Sequence, residues 1–219
     1  MPGQQQEKNK VEFGLENVYF ARATTDLTSG VTTYEEPIRW PGAVELSLEA
    51  SGDLIKFKAD NIDYYISGNN QGYDGKLTTA LVPEEFATQI LGEVVEGGVQ
   101  TEYSNAETST FALMFQFEGD KKATRHVLYY CSASRPSVGS STIDKGDPNT
   151  TELSFSASPR PSDKAVKTKT RPDTEPTVYD AWFNAVYDKN STTTTTTTTV
   201  APTTTTTTKA TTTTTTTQA

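Results

Sequence analysis

Residues 110–133 read "TFALMFQFEGDKKATRHVLYYCSA", two apolar stretches either side of "EGDKK". In the first, Phe111, Leu113, Phe115 and Phe117 fall on one side at a period of two, and the other side is also fairly apolar. That pattern predicts a central strand buried on both faces. The second stretch predicts its hairpin partner. It also holds the chain's only histidine, His126, and its only cysteine, Cys131. Strict alternation puts Arg125, Val127, Tyr129 and Cys131 on one face, with His126, Leu128 and Tyr130 on the other. On opposite faces a Cys and a His share neither a proton nor a metal. Zinc sites need three or four N or S ligands, and a thiol nucleophile needs a base within reach. Cys131 therefore reads as a core thiol.

The same period runs through the rest of the body. "AVELSLE" (43–49) sets Val44, Leu46 and Leu48 against Glu45, Ser47 and Glu49, and "TELSFSA" (151–157) sets Leu153 and Phe155 against Glu152, Ser154 and Ser156. Further strands are predicted at 14–22, 54–59, 62–66 and 76–82. The turns are expected at "SGD", "SGNNQGYDG", "EGGV" and "EGD", where Gly, Asn and Asp tolerate positive φ. Eight or so strands with short turns predict a mainly β fold, a β-sandwich or partly closed barrel.

Two helices are expected. In "PEEFATQILGE" (83–93), Pro83 suits the first turn and Gly92 the stop, with Phe86, Ile90 and Leu91 on one face. "PTVYDAWFNAVY" (176–187) puts Val178, Trp182, Phe183 and Val186 on one stripe, as a C-terminal helix packed on the body. Residues 23–42, "ATTDLTSGVTTYEEPIRWPG", are polar and too long for an ordinary turn, so they predict a functional loop arm.

Composition excludes whole classes of function. Of 219 residues, the last 29 from Ser191 contain 21 Thr and cannot bury a core, which predicts a disordered tail or linker. All ten Tyr, nine Phe and two Trp precede it, enough for one folded body over 11–190 behind a flexible 1–10. That body carries 28 acidic against 18 basic side chains, which argues against nucleic-acid binding. One cysteine makes no internal disulfide, and no apolar run approaches the roughly 18 residues of a membrane span. "NNQGYDG" (69–75) lacks the alternate acidic ligands of a calcium loop, and no phosphate-loop, dinucleotide, zinc-protease or serine-hydrolase motif occurs. The reading is of a non-enzymatic protein without metal or cofactor.

"FGLENVYFARA", "PGAVELSLEASGDLIKFKADNIDYYI", "GYDGKLTTALVPEEFATQILGE", "FALMFQFEGDKKATRHVLYYCSASRPSV" and "ELSFSASPRP" occur in that order. Together they resemble the major tail (tail tube) protein of long, noncontractile-tailed phages of Gram-positive bacteria, from about residue 11 to 190. The resemblance implies a virion protein made in the host cytoplasm, a sandwich flanked by a helix, and hexameric rings stacked into a tube through which DNA passes without specific binding. It implies tape measure and tail terminator proteins as further partners. It places the 23–42 segment where such proteins carry an inter-ring arm, with Thr25, Asp26, Thr28, Tyr34, Glu35, Glu36 and Arg39 as its contact residues. An acidic or neutral polar lining would let DNA pass, and the faces carrying Glu45, Ser47, Glu49, Glu152, Ser154 and Ser156 have that character. A different reading of the residues is a surface-displayed, carbohydrate-binding β-sandwich on a Thr-rich stalk.

Overall fold

The computed structural model describes residues 8–140 and 148–189. The chain divides into a unit of residues 1–187 and a second of 188–219, of which only Asp188 and Lys189 are described. The expectations for residues 1–7 and for the Thr-rich stretch from Ser191 lie outside the described residues.

The first unit is built on one nine-stranded antiparallel sheet. Its strands are β1 (Glu12–Thr25), β2 (Thr32–Tyr34), β3 (Ile38–Arg39), β4 (Ala43–Ser51), β7 (Gly72–Thr79), β10 (Thr110–Gly119), β11 (Thr124–Ala133), β12 (Thr151–Ala157) and β13 (Lys167–Lys169). The order across it is β2-β1-β10-β11-β12-β7-β4, with β3 also on β1 and β13 also on β11. Two separate ribbons complete the strands: β5 (Ile55–Ala59) with β6 (Ile62–Ser67), and β8 (Val94–Glu96) with β9 (Val99–Thr101). The helices are short, α1 at Glu84–Gln89 and α2 at Pro176–Asp180. The fold is mainly β, and the sheet is not closed into a barrel.

Both faces of β10 are covered, as its apolar composition requires. On the inner face Phe111, Leu113 and Phe115 pack with Val18, Phe20, Leu77, Leu128, Leu153 and Phe155. The plug is α1: Phe86 meets Phe20 edge-on at 5.1 Å, Phe111 edge-on at 5.2 Å and Trp40 at 4.6 Å between ring centres. Such aromatic pairs contribute about 0.5–1.5 kcal/mol each beyond their buried area. Gly92 stops this segment at φ +76°. On the outer face Ala112, Met114, Val127 and Tyr129 are covered by Trp182, with Val178, Phe183 and Val186 packed around it. The C-terminal stripe is therefore where its sequence puts it, but helix covers only 176–180, not 176–187, and residues 181–184 continue as turns.

Three further expectations about the strands and their connections need correction here. The 23–42 segment is not a free arm: β2 and β3 both pair with β1, and Trp40, 1% exposed, sits in the core. Its indole donates to Thr79 Oγ1 at 3.0 Å and the Leu81 carbonyl at 3.2 Å, and its amide donates to Val18 O at 2.7 Å. One satisfied, buried tryptophan outweighs the polarity of its neighbours. Second, Val44 does not face the core. The β4–β7 register slips between Ala43 and Glu45, a bulge that leaves Val44 exposed and lets Ala43 pack instead. Third, residues 72–75 are strand rather than turn. Gly75 is glycine because a Cβ there would lie 2.3 Å from Phe155 Cζ.

The start of the described chain is fastened. Asn9 accepts from the Lys121 and Lys122 amides at 3.2 and 3.0 Å and donates to the Lys122 carbonyl at 2.6 Å, gripping the β10–β11 turn.

Candidate functional site

The six residues Glu45, Ser47, Glu49, Glu152, Ser154 and Ser156 lie on one face of three adjacent strands, with β7 between β4 and β12. Register places them in rows: Glu45–Thr78–Glu152, then Ser47–Lys76–Ser154, then Glu49–Asp74–Ser156. Ser132 of β11 extends the third row. The opposite face of the same strands supplies Leu46, Leu48, Leu77, Leu153 and Phe155 to the core. Alternation in β4 and β12 thus produces both surfaces at once.

The middle strand contributes residues not singled out from sequence: Asp74, Lys76 and Thr78. Their signal is present in "GYDGKLT", where Tyr73 and Leu77 alternate with Asp74 and Lys76, but the two glycines disguise it as a turn. Lys76 is the one base among the residues of these rows, and its Nζ lies 3.2 Å from Glu152 Oε1. Both side chains are about half exposed, so the pair adds little stability. What it changes is the charge presented: four carboxylates surround one tethered ammonium. A shallow groove of about 460 Å³ runs over Ser47, Asp74, Lys76, Ser134 and Ser154. Short hydroxyls and carboxylates offer an anion repulsion and hydration.

His126 and Cys131 are not on opposite faces. Two residues of β11, Tyr129 and Tyr130, stand against the single Ala112 of β10, so alternation resets and both His126 and Cys131 face inward. They remain apart: His126 pairs with Phe115 and Cys131 with Phe111, four residues or about 13 Å along the strand. His126 stacks on Phe115 at 5.0 Å with its Nε2 buried and unpartnered. Burial foremost, with Lys167 and Lys169 adding and Glu12 opposing, pushes its pKa down to about 4. Cys131 is fully buried, which raises its thiol far out of the reactive range. Among the described residues no three His, Cys, Asp or Glu side chains are grouped to hold a metal ion, and no helix is long and apolar enough to cross a membrane.

The residues expected in an arm divide between a turn and the β2–β3 return. Asp26 closes the turn, accepting from the Thr28 amide at 2.8 Å and the Ser29 hydroxyl at 2.6 Å, and these bonds lower its pKa. Thr25 meets the Thr32 hydroxyl at 2.9 Å, and Tyr34 donates to the Tyr129 carbonyl at 3.0 Å. Glu35 lies 3.7 Å from Arg22, while Glu36 and Arg39 are on the return toward Trp40. Leu27 at the tip is 96% exposed.

The segments that do stand away from the sheet are the two ribbons. β5–β6 carries exposed Ile55, Phe57, Ile62, Tyr64, Tyr65 and Ile66, turned by Asp60 and Asn61 at φ +51° and +63°. β8–β9 carries exposed Val94, Val95 and Val99, turned by Gly97 and Gly98 at φ +60° and +78°. Two-stranded ribbons are marginal alone in water, and apolar side chains on both faces of β5–β6 have no partner surface within the sheet.

No family model matches the chain, and no curated protein matches it. Among solved structures, the anti-feeding prophage cap, a tube-terminating cap, aligns with TM-score 0.43 and 9% identity over 77% of this chain and 98% of that one. The sheath/tube terminator of the PVC extracellular contractile injection system aligns with TM-score 0.43 and 9% identity over 74% and 99%. A chain of the PVC sheath–tube complex in its extended state is similar to this chain at TM-score 0.44 and 9% identity, over 74% of this chain and 93% of that one.

Proposed function

We propose that this protein is a structural subunit that self-associates into a tail-tube-like conduit, as hexameric rings stacked in a virion tail, through which double-stranded DNA passes during ejection. The observation that carries the reading is the continuous carboxylate and serine face of β4, β7 and β12. A channel for DNA must not retain it. Each accessible Lys or Arg would add a salt-dependent attraction repeated in every ring. On this face the one lysine is held by Glu152 and outnumbered by carboxylates, so a duplex meets repulsion and hydroxyls.

The five ordered segments that resemble tail tube proteins support the same reading, and so do the ribbons, whose apolar residues call for a neighbouring subunit. In this assignment the β5–β6 ribbon is the main assembly arm, and the turn at Asp26 to Val31, with Leu27 at its tip, is a shorter contact. Tape measure and terminator proteins would meet the ends of the tube. Negative-stain microscopy of the concentrated protein tests the proposal: rings or tubes are expected, and particles that stay monomeric at every concentration and salt overturn it.

A further inference from the structure

β4 and β7 pair from Ala43 and Thr79 at one end to Ser51 and Gly72 at the other, a span of about 26 Å along β4. The β5–β6 ribbon leaves from the second end. There Gln71 donates its amide to the Ser51 carbonyl at 3.0 Å, and Gly52 lies so close to Asn69 that a Cβ would fall 1.9 Å from its carbonyl oxygen, so the two arms of the ribbon depart together. Ile55, Phe57, Ile62, Tyr64, Tyr65 and Ile66 are each more than half exposed. Together they present roughly 800 Å², what one partner of a stable protein–protein contact buries.

At the first end lies an apolar groove of about 500 Å³ lined by Ile38, Pro41, Leu81, Val82 and Pro83. Its walls are fixed without an occupant. The Trp40 indole donates to the Leu81 carbonyl at 3.2 Å, and the Ala80 amide donates to the Gly42 carbonyl at 2.8 Å. A groove held in this way loses little freedom when filled. Yet Leu81 is 76% exposed, and Val44, turned out by the bulge at the same end of β4, adds more apolar surface. Net charge does not choose the partner: Lys56 meets Asp63 at 3.5 Å on a ribbon that also carries Asp53, Lys58 and Asp60, while the groove has one Arg39 and one Glu85.

We propose that this groove is the docking site for the β5–β6 ribbon of a second copy of the chain. Each copy has one ribbon and one groove at opposite ends of the same strand pair, so a copy displaced along β4 and β7 brings its ribbon to the groove of the next. The contact is heterologous and repeats along the strands rather than closing as a pair. The inference rests on the self-association proposed above and names the surface that receives its arm.

Hydrogen–deuterium exchange on wild type tests it directly: amides of both 55–67 and 80–85 should exchange more slowly in the assembled fraction than in the monomer. Disulfide trapping adds the geometry, since the chain's own Cys131 is buried. Ile62→Cys/Leu81→Cys should give a ladder of linked multimers on a non-reducing gel, and Ile62→Cys alone should give none. Phe57→Ser/Ile62→Ser/Tyr65→Ser and Leu81→Asp should each need at least about tenfold more protein to assemble. Mixed together, they should form pairs that stop growing, because only one intact ribbon meets one intact groove. Melting curves establish that each variant is folded, and the exchange result stands for wild type even where one is not. Assembled wild type whose 80–85 amides exchange as in the monomer, linkage through position 62 alone, or unimpaired assembly of both folded variants overturns the inference and leaves the tube reading intact. Wild type that never assembles overturns both.

Discussion

Lys76 Nζ and Glu152 Oε1 meet at 3.2 Å across β7 and β12, in the middle of a face whose other charged groups are Glu45, Glu49 and Asp74. The lysine is the one cation of these rows that can pair with a phosphate, and its ion pair with Glu152 competes with that contact.

Replacing Glu45 and Glu49 by Lys turns four carboxylates and one lysine into two carboxylates and three lysines. Assembly should persist, because both positions are exposed and their strand pairing is backbone-mediated. DNA retention should rise steeply at low salt, with each new phosphate contact adding about 0.9 to the slope of log affinity against log salt. Ejection assays or gel shifts with assembled tubes measure this. Wild-type DNA behaviour at every salt concentration would remove this face from the channel.

The buried His126 makes stability depend on pH. Its folded pKa of about 4 lies below the unfolded value of 6.5, so neutral imidazole is favoured in the folded state. The stabilisation is complete above pH 6.5 and is lost as pH falls toward 4, by about 2–3 kcal/mol. His126→Phe should fill the stack on Phe115 and flatten that loss. Denaturant midpoints at pH 7.5 and 4.5 check it, and an equal pH dependence in the variant counts against the assignment.

Gly75→Ala tests the close approach of β7 to the Phe155 ring. A Cβ 2.3 Å from Cζ forces a ring at the centre of the core to move, which should cost about 1–3 kcal/mol and lower Tm by several degrees. Gly68→Ala, with nothing within 4 Å, should stay within about 0.5 kcal/mol of wild type. Similar melting temperatures for the two variants contradict the packing described.

Cys131 should resist maleimide in the native protein and react at the rate of unfolding, since its thiol is buried and its pKa raised. Cys131→Ala should cost about 1–2 kcal/mol and leave assembly unchanged. Fast labelling of folded protein, or loss of assembly without loss of folding, would return chemistry to this position.

The legible parts of the sequence are those where one period governs a whole strand. β10 and β12 follow it without interruption, and their faces fall as alternation requires. β4 and β11 do not, because a bulge at Val44 and another at Tyr129 and Tyr130 reset the pleat. A bulge leaves no mark in hydrophobic periodicity, so alternation puts His126 and Cys131 on opposite faces although both point inward. The conclusion that they do not cooperate survives on a different ground, their separation along the strand. The 23–42 segment misled because its average polarity hides Trp40, one residue whose burial decides the path of the chain. The candidate face was half legible: the glutamates and serines of β4 and β12 are visible as alternation, while Asp74 and Lys76 are masked by glycines that fit the Phe155 ring and the neighbouring strand.

Among the described residues the two ribbons belong to neither hydrophobic cluster and pair with no strand of the main sheet. Mutation can therefore rewrite them without touching thermal stability. If the subunits self-associate as proposed, two lineages of this protein that drift apart in the ribbons alone would each fold and assemble, yet refuse to co-assemble, which makes these few residues the natural place for an assembly to acquire an identity of its own.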